Sequence, residues 1–268
     1  MSIHYNKTTP SEHANNSFNA ILALPPLLNG HPFIANQRWL NEFASNAIPP
    51  KGIEYQGGRR LGFFYQWLWQ QLIVHHPCYE LLAEEIQLSV DKRTLGAVDF
   101  LVKDLRTGEV EHWEVAIKFY LAFELRWPGP NARDDLDTKA NKMLTHQLML
   151  SDHPAFIDQY QAQFGPISQR RLIMQGRLFY PAFSDYSGSG IQLAQEAAQG
   201  LWCYSEQVAR LNLRSIAKPE WIAPPRYRQI AEEPALTTVS NPTMAIAPDD
   251  KVWFVMPEHW PHSSMKKP

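Results

Sequence analysis

Hydrophobic and polar residues alternate most regularly between Leu95 and Phe123. Alternation with a period of two predicts β-strands, because successive side chains of a strand point to opposite faces of a sheet. The segment between the two alternating runs, Asp104–Glu109, holds a glycine and an aspartate, which are typical of tight turns. We therefore predict a β-hairpin with one apolar face and one charged face. The charged residues of that face are Asp99, Lys103, Glu114 and Lys118.

The register of this hairpin brings Asp99 and Glu114 together in either of two arrangements. A turn centred on Arg106 and Thr107 places Asp99 directly opposite Glu114, and a turn centred one residue later places them diagonally on the same face, with Cβ atoms roughly 5–8 Å apart. Only a one-residue bulge would break this arrangement. Two carboxylates this close repel each other unless a cation neutralises them. Because Mg²⁺ and Mn²⁺ suit oxygen ligands, Asp99 and Glu114 are candidate ligands of one such ion.

Lys118 lies four residues after Glu114 on the same predicted face, about 13 Å along the strand. Its ammonium group would stabilise negative charge on a metal-bound phosphate. The same pattern also has a simpler interpretation, in which these charged residues only form the solvent-facing side of a half-buried strand.

Periodicity predicts the order helix, strand, strand, strand, helix, strand across residues 61–181. An apolar stripe predicts a largely buried helix over Leu61–His75, and alternation predicts a strand from about Glu85 to Val90. The hairpin supplies the next two strands. A second helix is predicted over Asn131–Leu150, capped by Asn131 or Asp134, and Arg170–Pro181 reads as the last strand.

The chain divides into three predicted parts. Residues 1–56 form a lead-in of short helical pieces, residues 57–183 form the core, and residues 184–268 form a β-rich extension packed on that core. Within the extension the pattern predicts a short helix at 192–198 and strands at 201–208 and 251–256.

Composition narrows the class of protein. The 268 residues carry a net charge of −2 and are 44% hydrophobic, which is typical of a globular chain without a strongly basic surface. A local basic groove is still compatible with these values. The two cysteines have no metal-ligand spacing. The N-terminal residues lack a signal-peptide pattern and no apolar run is long enough to span a membrane, so we expect a soluble cytoplasmic protein without membrane contacts.

Several segments resemble a bacterial family of domains of unknown function that we associate with the PD-(D/E)XK nuclease superfamily. The matching segments are Leu61–Trp69, Leu95–Phe100, His112–Tyr120, Gly129–Asp137, His146–Leu148, Gly176–Pro181 and Trp260–Pro261. The predicted order of helices and strands is also similar to that superfamily. The resemblance implies an α/β, restriction-endonuclease-like core with a mixed sheet, flanked by the N-terminal helical lead-in and the C-terminal β-rich extension.

The resemblance also implies a role for each candidate residue. Asp99 and Glu114 would be catalytic ligands of Mg²⁺ or Mn²⁺, with Glu85 as a weaker third ligand, and Lys118 would orient water or stabilise charge on the phosphate. Residues expected to contact the substrate, a nucleic acid, are Gln66, Arg133, Lys139 and His146.

Two positions depart from the superfamily pattern. Val98 stands where the pattern has proline, and Ala116 stands where it has lysine, so that Lys118 is displaced along the strand. The first hypothesis is therefore a Mg²⁺-dependent phosphodiesterase acting on DNA or RNA, and the alternative is a catalytically inactive module of the same fold that binds nucleic acid or protein. A third hypothesis, a separate metal site, draws on His75, His76, His112, His146 and His153, whose spacing matches no standard ligand motif.

Overall fold

One mixed β-sheet organises the protein, and the computed structural model describes residues 9–262 except 187, 189 and 191. Its strands are β1 (Tyr79–Val90), β2 (Arg93–Asp104), β3 (Val110–Leu121), β4 (Ile167–Pro181), β5 (Gln199–Tyr204), β6 (Arg214–Ser215), β7 (Thr243–Ile246) and β8 (Val252–Met256). Their order across the sheet is β1-β2-β3-β4-β5-β8-β7-β6. The strands of the C-terminal part thus extend the same sheet as those of the central part.

The sheet is antiparallel at both ends and parallel in the middle. β1, β2 and β3 form an antiparallel meander, and β7 is antiparallel to both β6 and β8. β3 pairs with β4, β4 with β5, and β5 with β8 in parallel. Parallel neighbours require a crossover, and the chain between β3 and β4 supplies the helical one that covers the site described below.

The helices lie in the N-terminal part and in this crossover. The α-helices of the described residues are α1 (Pro10–Ala23), α2 (Gln37–Asn46), α3 (Leu61–Val74), α4 (Leu136–Lys142) and α5 (Pro154–Phe164). A π-helical turn (Met143–Gln147) continues α4, and a 3₁₀ turn (Leu150–Asp152) leads into α5. Three further 3₁₀ turns occupy Ser205–Arg210, Lys218–Trp221 and Tyr227–Gln229. No helix in this described part is both long and apolar enough to cross a membrane.

Both faces of the central sheet are buried. Helices α1, α2 and α3 cover one face, where Trp69 and Trp113 lie in the main apolar cluster. The crossover covers the other face, with Leu136 of α4 packed near Tyr120 and Phe156 of α5 packed near Leu101. Along β3 every residue is buried except Lys118, which is partly exposed. The charged face of the hairpin is only partly open to solvent: Glu114 is buried beneath the crossover, while Asp99, Lys103 and Lys118 are partly exposed.

The predicted core order is present apart from a second helix, α5, between α4 and β4, and one strand is longer than expected. β1 begins at Tyr79, whereas the pattern placed its start near Glu85. Residues 80–84 have good helix formers, but they pair with β2 along most of their length. Tertiary pairing therefore overrides the local helix preference. The predicted helix over residues 61–75 is found as α3, and the predicted lead-in helices are α1 and α2.

Two predicted helices differ from the structure. The helix expected over residues 131–150 begins only at Leu136, because Ala132 has a left-handed backbone (φ 53°), and Asp135, not Asn131 or Asp134, caps it. Residues 192–198 form no helix, because Ala194 bonds the carbonyl of Leu27 instead. The predicted strand at 201–208 ends at Tyr204, where a 3₁₀ turn begins.

Gly176 allows β4 to lie against β3 at the level of Lys118. Its φ is 144°, and an added Cβ atom would lie 1.7 Å from the carbonyl oxygen of Lys118. We expect Gly176→Ala to lower the free energy of unfolding by about 3 kcal/mol or more, measured by chemical denaturation. Gly62→Ala in α3, where nothing lies within 4 Å of the added atom, is the control and should gain about 0.5–1 kcal/mol. Equal stability of the two variants would contradict this role.

Candidate functional site

The site lies where β2 and β3 separate. Their ladder joins Phe100–Lys103 to Val110–Trp113, and its register is that of a turn centred on Arg106 and Thr107. At the turn, the Gly108 amide donates to the Asp104 carbonyl over 2.7 Å. Beyond the Phe100–Trp113 pair β3 continues along β4 to Leu121, while β2 stays with β1. We call the opening between the two strands the fork.

Asp99 and Glu114 occupy the apex of the fork. The Val115 amide donates to Asp99 Oδ2 over 2.9 Å, and the Asp99 amide donates to Glu114 Oε1 over 3.3 Å. Each carboxylate thus accepts from a backbone amide of the other strand that has no carbonyl acceptor there, because the ladder has ended. The register is the first of the two that the turn chemistry allowed, and it brings the two acids together on the crossover face.

His112 links Glu114 to Ser151 through two hydrogen bonds. His112 Nε2 lies 3.0 Å from Glu114 Oε1, and His112 Nδ1 lies 3.0 Å from Ser151 Oγ. All three side chains are buried. With Glu114 ionised, neutral His112 donates from Nε2 and accepts from Ser151. With Glu114 protonated, the carboxyl donates to Nε2, Nδ1 donates to Ser151, and Ser151 donates to the Leu148 carbonyl, 3.4 Å away.

The π-helical turn places Gln147 in the fork. Gln147 Nε2 lies 3.5 Å from the carbonyl oxygen of Ala97 on the open edge of β2, and the Gln147 side chain opposes the rise in the pKa of Glu114. Gly96 permits this approach, since a Cβ atom there would lie 2.7 Å from Leu150 and 3.3 Å from Gln147 Oε1. Widened helical turns of this kind are frequent at functional sites.

The environment raises the pKa of both acids. Burial, followed by repulsion from Glu114, raises the pKa of Asp99 to about 8. Burial raises the pKa of Glu114 to about 7, against the hydrogen bond from the Asp99 amide. Burial lowers the pKa of His112 to about 4, so its imidazole is neutral near pH 7. The pair therefore holds at least one proton near neutrality unless a cation replaces it.

Lys139 of α4 lies within electrostatic range of the two acids. Its pKa is lowered by burial and by repulsion from Lys118 and Lys142, and attraction to Glu114 and Asp99 opposes that shift. Lys118, the lysine predicted for the site, instead forms an ion pair with Asp134 at 3.0 Å. Lys139, predicted only as a substrate contact, is therefore electrostatically coupled to both acids.

The other candidate residues lie apart from this group. Glu85 of β1 lies at the level of Asp99 of β2, between the paired residues Glu84–Phe100 and Ile86–Val98. Its backbone is left-handed (φ 48°), and its carboxylate accepts from Gln66 of α3 over 3.2 Å, on the opposite face. Arg133 and His146 are exposed. His146 Nδ1 lies 3.2 Å from Gln147 Oε1, which leaves it beside the fork.

The remaining histidines of the third hypothesis do not gather into one site. His75 Nδ1 lies 2.8 Å from the Gln71 carbonyl, His76 Nε2 lies 3.1 Å from the Phe43 carbonyl, and His153 caps α5. Among the residues that the structure describes, no three His, Cys, Asp or Glu side chains are arranged to hold a metal ion together. Any ion in the fork would therefore take two carboxylates from the protein and its other ligands from water or substrate.

A comparison with protein families identifies the family of this chain. Residues 13–253 match the family described as "Domain of unknown function (DUF1853)". The chain belongs to this family. No curated protein and no solved structure matches it. For this DUF1853 protein, function must therefore be inferred from the geometry of the site.

Sequence reasoning missed three side chains that support the acids. His112 is two residues before Glu114 on the same strand, so alternation alone places both on one face and would have identified it. Gln147 and Ser151 carry no comparable signal. Their positions depend on the π-helical and 3₁₀ turns of the crossover, which break the 3.6-residue period.

The pKa values predict how stability depends on pH. The folded state holds more protons on Asp99 and Glu114 than the unfolded state between about pH 4 and 8, so stability falls as pH rises through that range. His112, with a folded pKa of about 4, opposes this trend only below about pH 6.5. The free energy of unfolding should therefore fall by about 2 kcal/mol from pH 6.5 to 8.5, measured by urea denaturation.

Asp99→Asn should reduce this fall markedly, because the amide oxygen still accepts from Val115 and the repulsion of Glu114 is gone. Asp158→Asn, on the exposed side of α5, is the matched control and should leave the pH profile unchanged. A wild-type profile that is flat above pH 6.5 would contradict the raised pKa values of the two acids.

Proposed function

We propose that this DUF1853 protein is a phosphodiesterase that cleaves nucleic acid with the help of Mg²⁺ or Mn²⁺. The observation that carries the proposal is the pair Asp99 and Glu114, held side by side at the fork with raised pKa values and with Lys139 beside them. Two carboxylates that repel each other are stabilised by a divalent cation, and a phosphate bound to that cation is stabilised by a neighbouring ammonium group.

The residues of the fork fit a hard divalent cation. Mg²⁺ is commonly bound through one or two carboxylates, with waters and substrate phosphate oxygens as its other ligands. Asp99 and Glu114 each use an oxygen for a backbone amide, and a carboxylate has further acceptor sites. When bound, the cation would activate water and neutralise charge on the phosphate.

The protein's own groups would then have distinct tasks. Asp99 and Glu114 hold the cation, and neutral His112 keeps Glu114 oriented through its Nε2–H. Lys139 donates to a non-bridging oxygen of the scissile phosphate, which favours the charge that develops as water attacks phosphorus and the leaving oxygen departs. His146 and Arg133, both exposed at the crossover, are placed to meet the flanking backbone of the substrate.

We also propose that the core is of the restriction-endonuclease-like type. Support comes from the chain order α3, β1, β2, β3, α4, α5, β4, from the antiparallel meander, and from the parallel β3–β4 pair joined by a helical crossover. The acids stand on the second and third strands of that core, where the resemblance to PD-(D/E)XK nucleases expects them. The lysine comes from α4 in place of β3.

A second candidate is a catalytically inactive module that binds nucleic acid or protein. One observation favours it: both acids already satisfy backbone amides at the fork, a structural task that requires no reaction. This candidate predicts retention of nucleic acid that weakens with salt and does not respond to divalent cations.

Calorimetric titration of Mg²⁺ or Mn²⁺ into the wild type should show binding that is lost in Asp99→Asn and in Glu114→Gln. The wild type should cleave end-labelled DNA or RNA only with the cation, and both variants should lose activity by at least about a hundredfold. Circular dichroism and thermal melting check that the variants are folded.

Substitutions on α4 separate the contribution of Lys139 from that of its neighbour Lys142. Lys139→Met should lower cleavage by about a hundredfold, because it removes the cation that faces the acids. Lys142→Met, on an exposed position of the same helix, is the control and should change cleavage little.

Full activity in Asp99→Asn would refute the phosphodiesterase, and cation-independent, salt-sensitive retention would favour the binding module.

A further inference from the structure

A cavity of about 530 Å³ lies beside Lys118, on the part of β3 that β2 has left. Its walls come from β3, from the start of α3, from the loop before α4, and from the C-terminal part of the chain. The residues that matter for its chemistry are Lys118, Asp134, Lys218, Trp221, Asn131 and Asn241. Cavities of this volume are typical of small-ligand sites.

The floor of the cavity includes an open strand edge. The amide of Val115 points to the β2 side, since it donates to Asp99, and the amide of Leu121 points the same way, since it donates to the Pro128 carbonyl over 3.0 Å. Backbone groups of a strand alternate between its two edges, so those of Ile117 and Phe119 face this side too. Both residues line the cavity. Their amides are therefore presented to whatever occupies it.

The side chains around the cavity mostly donate hydrogen bonds. Lys218 is exposed, and its ammonium group lies 5.7 Å from the centre of the Trp221 ring. The Trp221 indole N–H is buried and has no acceptor among the described residues. Asp134 is the negative group of the wall, and Lys118 already neutralises it. Two lysines, an indole donor and free amides together suit a ligand with anionic and carbonyl oxygens.

The cavity lies on the same strand as Glu114, further along β3. Lys118 follows Glu114 by four residues, about 13 Å along the strand. The pKa of Lys139 is raised by the two acids and lowered by repulsion from Lys118. A chain of phosphates that passes the acids at the apex would therefore meet Lys118 and then Lys218.

We propose that this cavity binds the single-stranded segment of nucleic acid that flanks the scissile phosphate. Lys118 and Lys218 contact its phosphates, and a base lies against the Trp221 ring. A volume of about 530 Å³ admits one or two nucleotides and no duplex. The inference rests on the proposed phosphodiesterase and names the strandedness of its substrate.

Binding is measured by fluorescence anisotropy with a 5′-labelled oligothymidylate and with a duplex of the same length, in Mg²⁺, on the uncleaving Asp99→Asn background. Adding Lys218→Gln should weaken single-strand binding by about three- to tenfold and reduce the salt slope by about one. Lys251→Gln is the matched control, because it removes one exposed charge at the far end of the β7–β8 hairpin. Trp221→Phe should also weaken single-strand binding.

Each result decides the proposal. Weaker single-strand binding in Lys218→Gln, with Lys251→Gln unchanged, supports it. Equal losses in both variants, unchanged binding in Lys218→Gln and Trp221→Phe, tighter binding of duplex than of single strand, or full competition by a poly-glutamate peptide would each overturn it. Cleavage by the wild type is assayed separately. Absence of cleavage by the wild type would contradict the phosphodiesterase proposal. Unchanged anisotropy in the Lys218→Gln variant would contradict the cavity proposal.

Discussion

The divergence of β2 from β3 after the Phe100–Trp113 pair is the feature on which the site depends. A strand that leaves its partner exposes backbone amides, and burying them unpaired would cost free energy. Here carboxylates replace the missing partner, since Asp99 accepts from Val115 and Glu114 accepts from Asp99. These bonds fix the direction of the two acids as well as their position. They also favour the ionised forms, and so oppose the burial that raises both pKa values.

The crossover turns this local opening into an enclosed site. Its π-helical turn brings Gln147 to the edge of β2, and the absence of a side chain at Gly96 leaves the space for that approach. The next turn brings Ser151 to His112, which reaches Glu114. Because parallel β3 and β4 must be joined over one face of the sheet, the same connection that completes the fold also covers the acids.

The hairpin could be predicted from sequence because its signals are local. Alternation fixed the faces, and the turn residues around Gly108 left only two registers, both of which joined Asp99 to Glu114. The direction of Glu85 could not be predicted in this way. A left-handed residue inside a strand is set by its surroundings, here by Gln66 of α3. The pairing of Lys118 with Asp134 likewise joins two elements that no periodicity relates, and it is why the predicted lysine lies away from the acids.

The charge at the fork exceeds what the fold itself requires. An asparagine and a glutamine would accept the same two amide bonds through their side-chain oxygens, without repulsion and without a pH-dependent loss of stability. The chain instead places a buried Glu114 next to a partly buried Asp99, with Lys139 in electrostatic range of both. Neutral His112 supplies a hydrogen bond but no compensating charge near pH 7. Backbone hydrogen bonds therefore account for the positions of the acids but not for their charge, and it is this charge that the proposed divalent cation would neutralise.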